Sequence, residues 1–228
     1  KLAKQIYSGR KRLSGETYYE HALEIAQRLK DYGIKGENTL TAAILHHALD
    51  KDEGKSLEKV HRINKEAAKL LEKYKKLTEI DIRVDSLTNQ NEKYLMQTLV
   101  NLVRDVRALI IRTVDKLHSL ENSWALDKKG REKAALKALN LYAPLAKILG
   151  VSQISTELED TAFKILHPKE YFNLKQVVRK RSWGTKKLFK EVEDFLTEIL
   201  NEQGLKNFQI QYRTKGFYSL YKKLERYK

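Results

Sequence analysis

Proline occurs only twice in the 228 residues of the chain, at positions 144 and 168. Because proline interrupts helices, the long stretches without it are free to be helical. Apolar residues recur in these stretches at intervals of three and four, as in Tyr19, Leu23 and Ala26, which is typical of amphipathic helices. We therefore predict a mainly α fold, with helices over about residues 60–76, 95–126, 131–149, 157–166 and 186–203.

The pattern changes near the C-terminal end. Gly204 ends the last of these helices, residues 208–212 alternate apolar and polar side chains as a half-buried strand does, and residues 217–227 return to helical spacing. A strand here has no visible partner, which indicates that the sequence stops inside a mixed α/β domain. We predict a helical bundle over residues 1–150, a helical linker over 151–200 and the start of a second domain over 201–228.

The composition excludes several classes of protein. With 41% hydrophobic residues the chain can bury a core, so disorder of the whole chain is excluded. No run approaches the roughly 18 apolar residues of a membrane span, and the first residues do not resemble a signal peptide. We expect a cytoplasmic protein without a membrane partner. Since cysteine is absent, a metal site must use His, Asp or Glu.

The net charge of +15 favours a polyanionic partner, such as a nucleic acid or a nucleotide. Residues 164–228 alone contain 16 basic and 7 acidic residues, so most of the excess lies in the C-terminal part. The aromatic residues there, Phe208, Tyr212 and Phe217, fit strand and helix packing better than a platform for stacking bases. We therefore do not expect contact with nucleic acid or the ribosome.

Three polar side chains stand in or directly after apolar runs. His46 and His47 follow the apolar run 40–45, and Asp115 lies within the apolar stretch 110–117. Such groups are costly to bury without a partner, and together with His21 they form a set that suits a divalent transition metal. The alternative, that the histidines are core residues satisfied by hydrogen bonds, stays open on these grounds alone.

Several motifs in a fixed order resemble the RelA/SpoT homologue family, whose members make and break the alarmone (p)ppGpp in the bacterial stringent response. They are residues 14–21 (SGETYYEH), 42–47 (AAILHH), 114–120 (VDKLHSL), 141–146 (LYAPLA), 157–160 (ELED) and 212–223 (YRTKGFYSLYKK). The resemblance implies an HD-domain helical bundle over residues 1–150. It further implies that residues 201–228 begin a truncated α/β synthetase domain, with its first strand and helix.

The resemblance assigns the metal-binding positions of an active family hydrolase, which holds Mn²⁺, to His21, His46 and Asp115. The aspartate of the family's His-Asp doublet is His47 here. Exchanging a carboxylate for an imidazole moves the site away from hard oxygen ligation, towards zinc, nickel or iron. Of the family's acid-base pair, Asp50 keeps a carboxylate and can be catalytic if hydrolysis survives, whereas Lys51 inverts the charge.

The nucleotide-binding positions implied by the resemblance are Arg12, Ser119 and Asn122. Arg12 matches an arginine that packs against guanine, whereas Ser119 and Asn122 replace an asparagine and a threonine of the family. Together with His47 and Lys51, these departures predict a decayed hydrolase domain with a regulatory role and no bound metal. The alternative is an active metal-dependent (p)ppGpp 3′-pyrophosphohydrolase, with Mn²⁺ or another divalent transition metal in a histidine-rich site.

The C-terminal motif matches the family positions that hold ATP phosphates, at Arg213, Lys215, Ser219 and Lys223. Arginine and lysine suit phosphate oxygens, and a serine near the start of a helix adds a donor where the helix dipole favours anions. The resemblance implies guanine nucleotides (ppGpp, GDP and GTP) and ATP as partners. It also implies a GTP pyrophosphokinase activity that needs Mg²⁺ and residues beyond 228.

Overall fold

The computed structural model describes residues 1–50, 53–85, 105–181, 185–210 and 215–227. The chain divides into two compact units, Lys1–Leu166 and His167–Lys228. Across the described ranges the regular structure is helical and no β-sheet forms, so the predicted mainly α fold is confirmed. In the same ranges, no helix combines the length and apolar character that crossing a membrane requires.

Unit 1 is a bundle of α-helices. They are α1 (Leu2–Ile6), α2 (Tyr18–Asp31), α3 (Glu37–Leu45), α4 (Glu53–Ile63), α5 (Lys65–Asp85), α6 (Val106–Glu121), α7 (Lys128–Lys137), α8 (Ala143–Ile148) and α9 (Ser152–Leu166). A 3₁₀ turn, Ser123–Ala125, follows α6, and a π-helical turn, Ala138–Tyr142, joins α7 to α8. Pro144 lies in the first turn of α8 and lacks the N–H of a regular helix, and the π turn precedes it.

Helix α6 lies at the centre of unit 1. It buries residues on most of its circumference, among them the apolar Leu109, Ile111 and Val114 and the polar Arg112 and Asp115. It packs against α2, α3, α5 and α9, which contribute further fully buried side chains such as Ile25, Leu70 and Phe163. Asp115 on α6 is therefore enclosed by other helices.

A capping box fixes the start of α2. The Thr17 hydroxyl accepts a hydrogen bond from the Glu20 backbone N–H at 3.1 Å, and the Glu20 carboxylate accepts one from the Thr17 N–H at 2.8 Å. Gly15, two residues before Thr17, has φ +88°, a backbone conformation that residues with a side chain rarely adopt. The box sets the direction of the first turn of α2, from which His21 projects into the bundle.

Two predicted helices are interrupted in the structure. The helix predicted over residues 95–126 is interrupted at Asp105, which is extended and whose carboxylate accepts from the Arg107 N–H at 3.2 Å, so that it caps the start of α6. Residues 95–104 lie outside the described part. The helix predicted over 60–76 is divided at Asn64, whose side chain accepts from the Ala67 N–H at 2.9 Å and begins α5.

Unit 2 contains α10 (Pro168–Arg181), α11 (Thr185–Glu202) and α12 (Phe217–Glu225). Helices α10 and α12 pack together, with the rings of Tyr171 and Phe217 5.4 Å apart. The strand predicted over residues 208–212 is not confirmed, because 208–210 have no regular structure and 211–212 lie outside the described ranges. A strand needs a hydrogen-bonded neighbour, and the described residues offer none. The predicted divisions at residues 150 and 200 stay predictions.

Candidate metal centre

Four side chains converge inside unit 1. His21 comes from α2, His46 and His47 from the end of α3, and Asp115 from α6. The Nε2 atoms of His21 and His46 lie 3.1 Å apart, and Asp115 Oδ1 lies 3.3 Å from the first and 3.8 Å from the second. With one ring nitrogen of His47, these atoms all lie within 4.8 Å of one another.

The spacing of these atoms suits a divalent transition metal. A metal–nitrogen bond is about 2.0–2.1 Å, so ligand atoms around one ion lie about 3.0–3.4 Å apart in octahedral or tetrahedral geometry. The separations of 3.1 and 3.3 Å lie within this range, whereas the 3.8 Å between His46 and Asp115 is longer. Imidazole nitrogens with one carboxylate oxygen form a donor set that zinc, iron and similar ions accept. The cluster could therefore hold a metal.

Partners outside the cluster orient two of the ligands. His46 Nδ1 donates to the Ala43 carbonyl at 2.6 Å, so that its Nε2 lone pair faces the cluster. Asp115 Oδ2 accepts from the Tyr74 hydroxyl at 2.8 Å and from Arg112 at 3.1 Å, which leaves Oδ1 for the cluster. Burial keeps the pKa of Tyr74 well above its ordinary value, so this hydroxyl remains a donor. Such supporting hydrogen bonds are typical of metal-binding sites.

The protonation states also suit a metal. Burial lowers the pKa of His46 well below its ordinary value, and burial lowers that of His21 although Asp115 opposes the shift. For Asp115, burial raises the pKa, but hydrogen bonding to His21 and the positive charge of Arg112 act in the opposite direction, and the pKa lies well below its usual range. At neutral pH His21 and His46 are thus neutral and Asp115 is a carboxylate, the forms that bind metals. The lone pair of His46 lies on Nε2, whereas Arg12 donates to His21 Nδ1 and so leaves the proton of His21 on Nε2. Metal binding by His21 Nε2 therefore requires the contact with Arg12 to break.

His47 and Asp50 lie together at the rim of the cluster. His47 Nδ1 donates to Asp50 Oδ2 at 2.9 Å, and Arg10 reaches the same oxygen at 3.4 Å. The Asp50 side chain is 41% exposed, whereas that of Arg10 is 11% exposed. The carboxylate assigned to acid-base chemistry is therefore beside the cluster, and its nearest partner is the histidine that replaces the family's aspartate. Lys51 lies outside the described residues.

The predicted nucleotide-binding residues lie on the opposite side of His21. Arg12 donates to His21 Nδ1 and to the Ser119 hydroxyl, the latter at 2.8 Å. Asn122 caps the end of α6 and donates to the His118 carbonyl at 3.0 Å. The structure thus brings Arg12 and Ser119 into direct contact, with Asn122 one helical turn further along.

Sequence reasoning missed several residues of the site. Tyr74 gave no local signal, because its contact with Asp115 joins separate helices, whereas Arg112 lies three residues before Asp115 on one helical face. Glu16 and His118 form a second potential ligand set with His21. Burial and the neighbouring His21 lower the pKa of His118 to about 4. The cationic side chain of Arg12 contacts both His21 and Glu16, so a second ion is disfavoured there.

The C-terminal motif is partly described. Lys215, Ser219 and Lys223 line one concavity of about 330 Å³ together with Lys222 and Arg226 of unit 2. Helix α12 begins after Gly216, so Ser219 is in its first turn, where backbone N–H groups favour anions. Arg213 lies outside the described residues. The three described residues of the motif therefore share one basic concavity.

Removing the Tyr74 hydroxyl should weaken metal binding. In Tyr74→Phe, Asp115 loses one of the donors that hold Oδ2, and we expect the affinity for Co²⁺ or Zn²⁺ to fall about tenfold. Competition with a chromogenic chelator measures the affinity. The matched control is Tyr32→Phe, because Tyr32 donates to Glu157 at 2.6 Å away from the cluster. Equal affinities of the two variants would contradict a supporting role for Tyr74.

Residues 1–152 match the family model of the HD domain. The chain is 32% identical over 234 residues to guanosine-3′,5′-bis(diphosphate) 3′-pyrophosphohydrolase of Aquifex aeolicus, covering 99% of this chain and 32% of that protein. It is 29% identical to the bifunctional (p)ppGpp synthase/hydrolase SpoT of Escherichia coli, covering 98% of this chain and 31% of that protein. It is also 29% identical to the GTP pyrophosphokinase of Myxococcus xanthus, covering 97% of this chain and 29% of that protein.

The chain thus spans about a third of the length of these curated relatives. The part that matches the HD domain includes all four side chains of the cluster, and the likeness to the relatives extends over nearly all of the chain. Both findings agree with the motifs in the sequence and with the helical bundle of unit 1. The chain belongs to the HD domain family and, within it, to the RelA/SpoT homologues.

Proposed function

We propose that unit 1 hydrolyses the 3′-pyrophosphate ester of (p)ppGpp with the help of a divalent transition metal ion. The observation that carries this proposal is the convergence of His21 Nε2, His46 Nε2 and Asp115 Oδ1, with supporting hydrogen bonds on the outer atoms of His46 and Asp115. The sequence departures favour decay of the site. A cluster that keeps both its ligand atoms and their supports favours activity instead, and relatives named as pyrophosphohydrolases support the substrate.

A divalent ion in the cluster would supply Lewis-acid activation of water and of the phosphate oxygens. The chain itself binds and orients the nucleotide. Arg12 lies beside His21, and its planar fork of donors suits a phosphate or the face of a guanine base. The mainly imidazole donor set supports zinc, iron or nickel over the Mn²⁺ of the family pattern. The assignment of Asp50 to proton transfer stays a prediction.

A second candidate function is a regulatory HD domain without turnover. It is favoured by the internal hydrogen bonds of the predicted substrate-side residues, because Ser119 accepts from Arg12 and Asn122 donates to the His118 carbonyl. If these bonds persist, fewer donors are left for a nucleotide. The domain would then act on the synthetase part of a longer protein rather than on (p)ppGpp.

Pyrophosphate release separates the two functions. The purified chain is stripped of metal, incubated with ppGpp and one of Mn²⁺, Co²⁺, Zn²⁺, Ni²⁺ or Fe²⁺, and assayed for pyrophosphate and GDP. We expect release with at least one ion and a loss of at least 100-fold in His46→Ala, because that residue is a buried ligand. His61→Ala, an exposed histidine of α4, is the control. No release with any ion would contradict the hydrolase and favour the regulatory domain.

For unit 2 we propose a part in binding the ATP phosphates for pyrophosphate transfer to GDP or GTP. The basic concavity around Lys215, Ser219 and Lys223 supports this, as does the similarity to a protein named GTP pyrophosphokinase. The acceptor nucleotide and Mg²⁺ would bind to residues that follow in longer relatives. The whole reaction is therefore proposed for a longer protein and not for these residues alone.

A further inference from the structure

We propose that Asp50, steadied by Arg10, is a positioning residue that presents His47 as the fourth metal ligand in place of the family's aspartate. The inference rests on the proposed function in so far as both need a metal in the cluster. It gives Asp50 a different task from the proton transfer that the family pattern implies. It also explains how the replacement of a carboxylate at position 47 can be compatible with metal binding.

Hydrogen bonds hold both the backbone and the ring of His47 in place. Its backbone N–H donates to the Tyr7 hydroxyl at 3.2 Å, and its carbonyl accepts from Arg10 at 3.3 Å. Its Nδ1 donates to Asp50 at 2.9 Å, and its ring packs edge-on against Tyr18 with centroids 4.9 Å apart. These contacts fix both the backbone and the ring of His47.

The contact with Asp50 also determines which ring nitrogen of His47 is available to a metal. When Nδ1 carries the proton that it donates to a carboxylate, Nε2 keeps the lone pair that binds a metal. The carboxylate also fixes the orientation of the imidazole, the arrangement in which histidine ligands commonly occur. The pair of His47 and Asp50 thereby returns a negative charge to the surroundings of the ion, one residue further out than an aspartate ligand.

Arg10 fixes Asp50 in turn. Its guanidinium stacks over the Tyr18 ring at 4.2 Å and lies 5.7 Å from the Tyr7 ring, so the cation is held by aromatic faces. From this place it reaches Asp50 Oδ2 at 3.4 Å. Because Asp50 is 41% exposed, this ion pair is weak, and Arg10 should contribute less to the site than Asp50 does.

Titration with Co²⁺ tests the proposal independently of turnover. The full chain and its variants are titrated in the absence of nucleotide, and both the affinity and the visible ligand-field spectrum are recorded. We expect Asp50→Ala to lower the affinity about 10- to 100-fold and to change the spectrum. Asp50→Asn keeps an acceptor without the charge and should lose less. Arg10→Met should lose about two- to fivefold, and Arg10→Lys should restore part of that loss.

Two controls separate positioning from other roles. Asp31→Ala removes an exposed carboxylate at the end of α2, which accepts from Gln27, and should leave affinity and spectrum unchanged. In a His47→Asp background, Asp50→Ala should no longer lower the affinity, because there is no imidazole to orient. The proposal is overturned if Asp50→Ala lowers pyrophosphate release but not Co²⁺ affinity, which is the result for a proton-transfer group. The proposal stands if Asp50→Ala lowers the Co²⁺ affinity, even when no ion supports hydrolysis of ppGpp. The test of Asp50 can therefore succeed or fail independently of the proposed hydrolase activity.

Discussion

Asp115→Asn is expected to abolish high-affinity metal binding and to destabilise unit 1. The amide cannot supply the anionic Oδ1 that faces His21 and His46, so we expect the affinity for Zn²⁺ or Co²⁺ to fall at least 100-fold. Asp115 also pairs with Arg112 in the interior. Breaking a buried ion pair by removing one partner costs about 3–5 kcal/mol. Both effects follow from the same buried carboxylate.

A double variant separates these two effects. Arg112→Met added to Asp115→Asn removes the cation that lost its carboxylate, so much of the stability should return while the metal affinity stays low. Urea unfolding in a chelator measures the first quantity and Co²⁺ titration the second. Asp127→Asn serves as the control, because an exposed N-cap residue keeps its capping function as asparagine. Unaltered metal affinity in Asp115→Asn would exclude this carboxylate as a ligand.

His47→Asp is expected to change which ion the cluster prefers. An aspartate replaces a borderline nitrogen with a hard oxygen and adds a negative charge, so the ratio of Mn²⁺ affinity to Zn²⁺ affinity should rise about tenfold or more. Arg10 lies close enough to compensate part of the added charge, since it already contacts the position 47 carbonyl and Asp50. If hydrolysis is present, its Mn²⁺-dependent rate should rise as well.

The ratio is measured by competition between the two ions at fixed pH, in parallel with ppGpp turnover. His61→Asp introduces the same charge on the exposed side of α4 and should leave the ratio unchanged. Both affinities are measured on the same variant, so a general loss of folded protein lowers them equally and leaves their ratio unchanged. An unchanged ratio in His47→Asp would show that position 47 does not bind the ion.

The ligands themselves could be predicted from sequence, but most of their supports could not. His46 and Asp115 stood out because polar groups within apolar runs are costly to bury without a purpose. The role of Tyr74 depends on a contact between α5 and α6, which leaves no periodic trace in either segment. Arg112 is an intermediate case, since it shares a helical face with Asp115 but could equally have pointed to solvent.

The limits of the fold prediction lie where single side chains interrupt an apolar pattern. The apolar pattern of the sequence continues on both sides of Asp105, yet Asp105 is extended and its carboxylate caps the start of α6. Asn64 does the same between α4 and α5. Glycines were clearer signals, because Gly33, Gly150 and Gly204 all adopt positive φ values after helices, where other residues are strained.

The positions of the ligands along the chain carry a thermodynamic consequence. His21, His46 and Asp115 come from segments that are far apart in sequence and meet only when the bundle has formed. An ion shared by them acts as a cross-link between α2, α3 and α6, comparable to a disulfide in a chain that has no cysteine. At a free concentration 100 times its dissociation constant, such an ion adds about 2.7 kcal/mol to the free energy of unfolding. The supply of metal would then raise the stability of unit 1, in addition to any effect on catalysis.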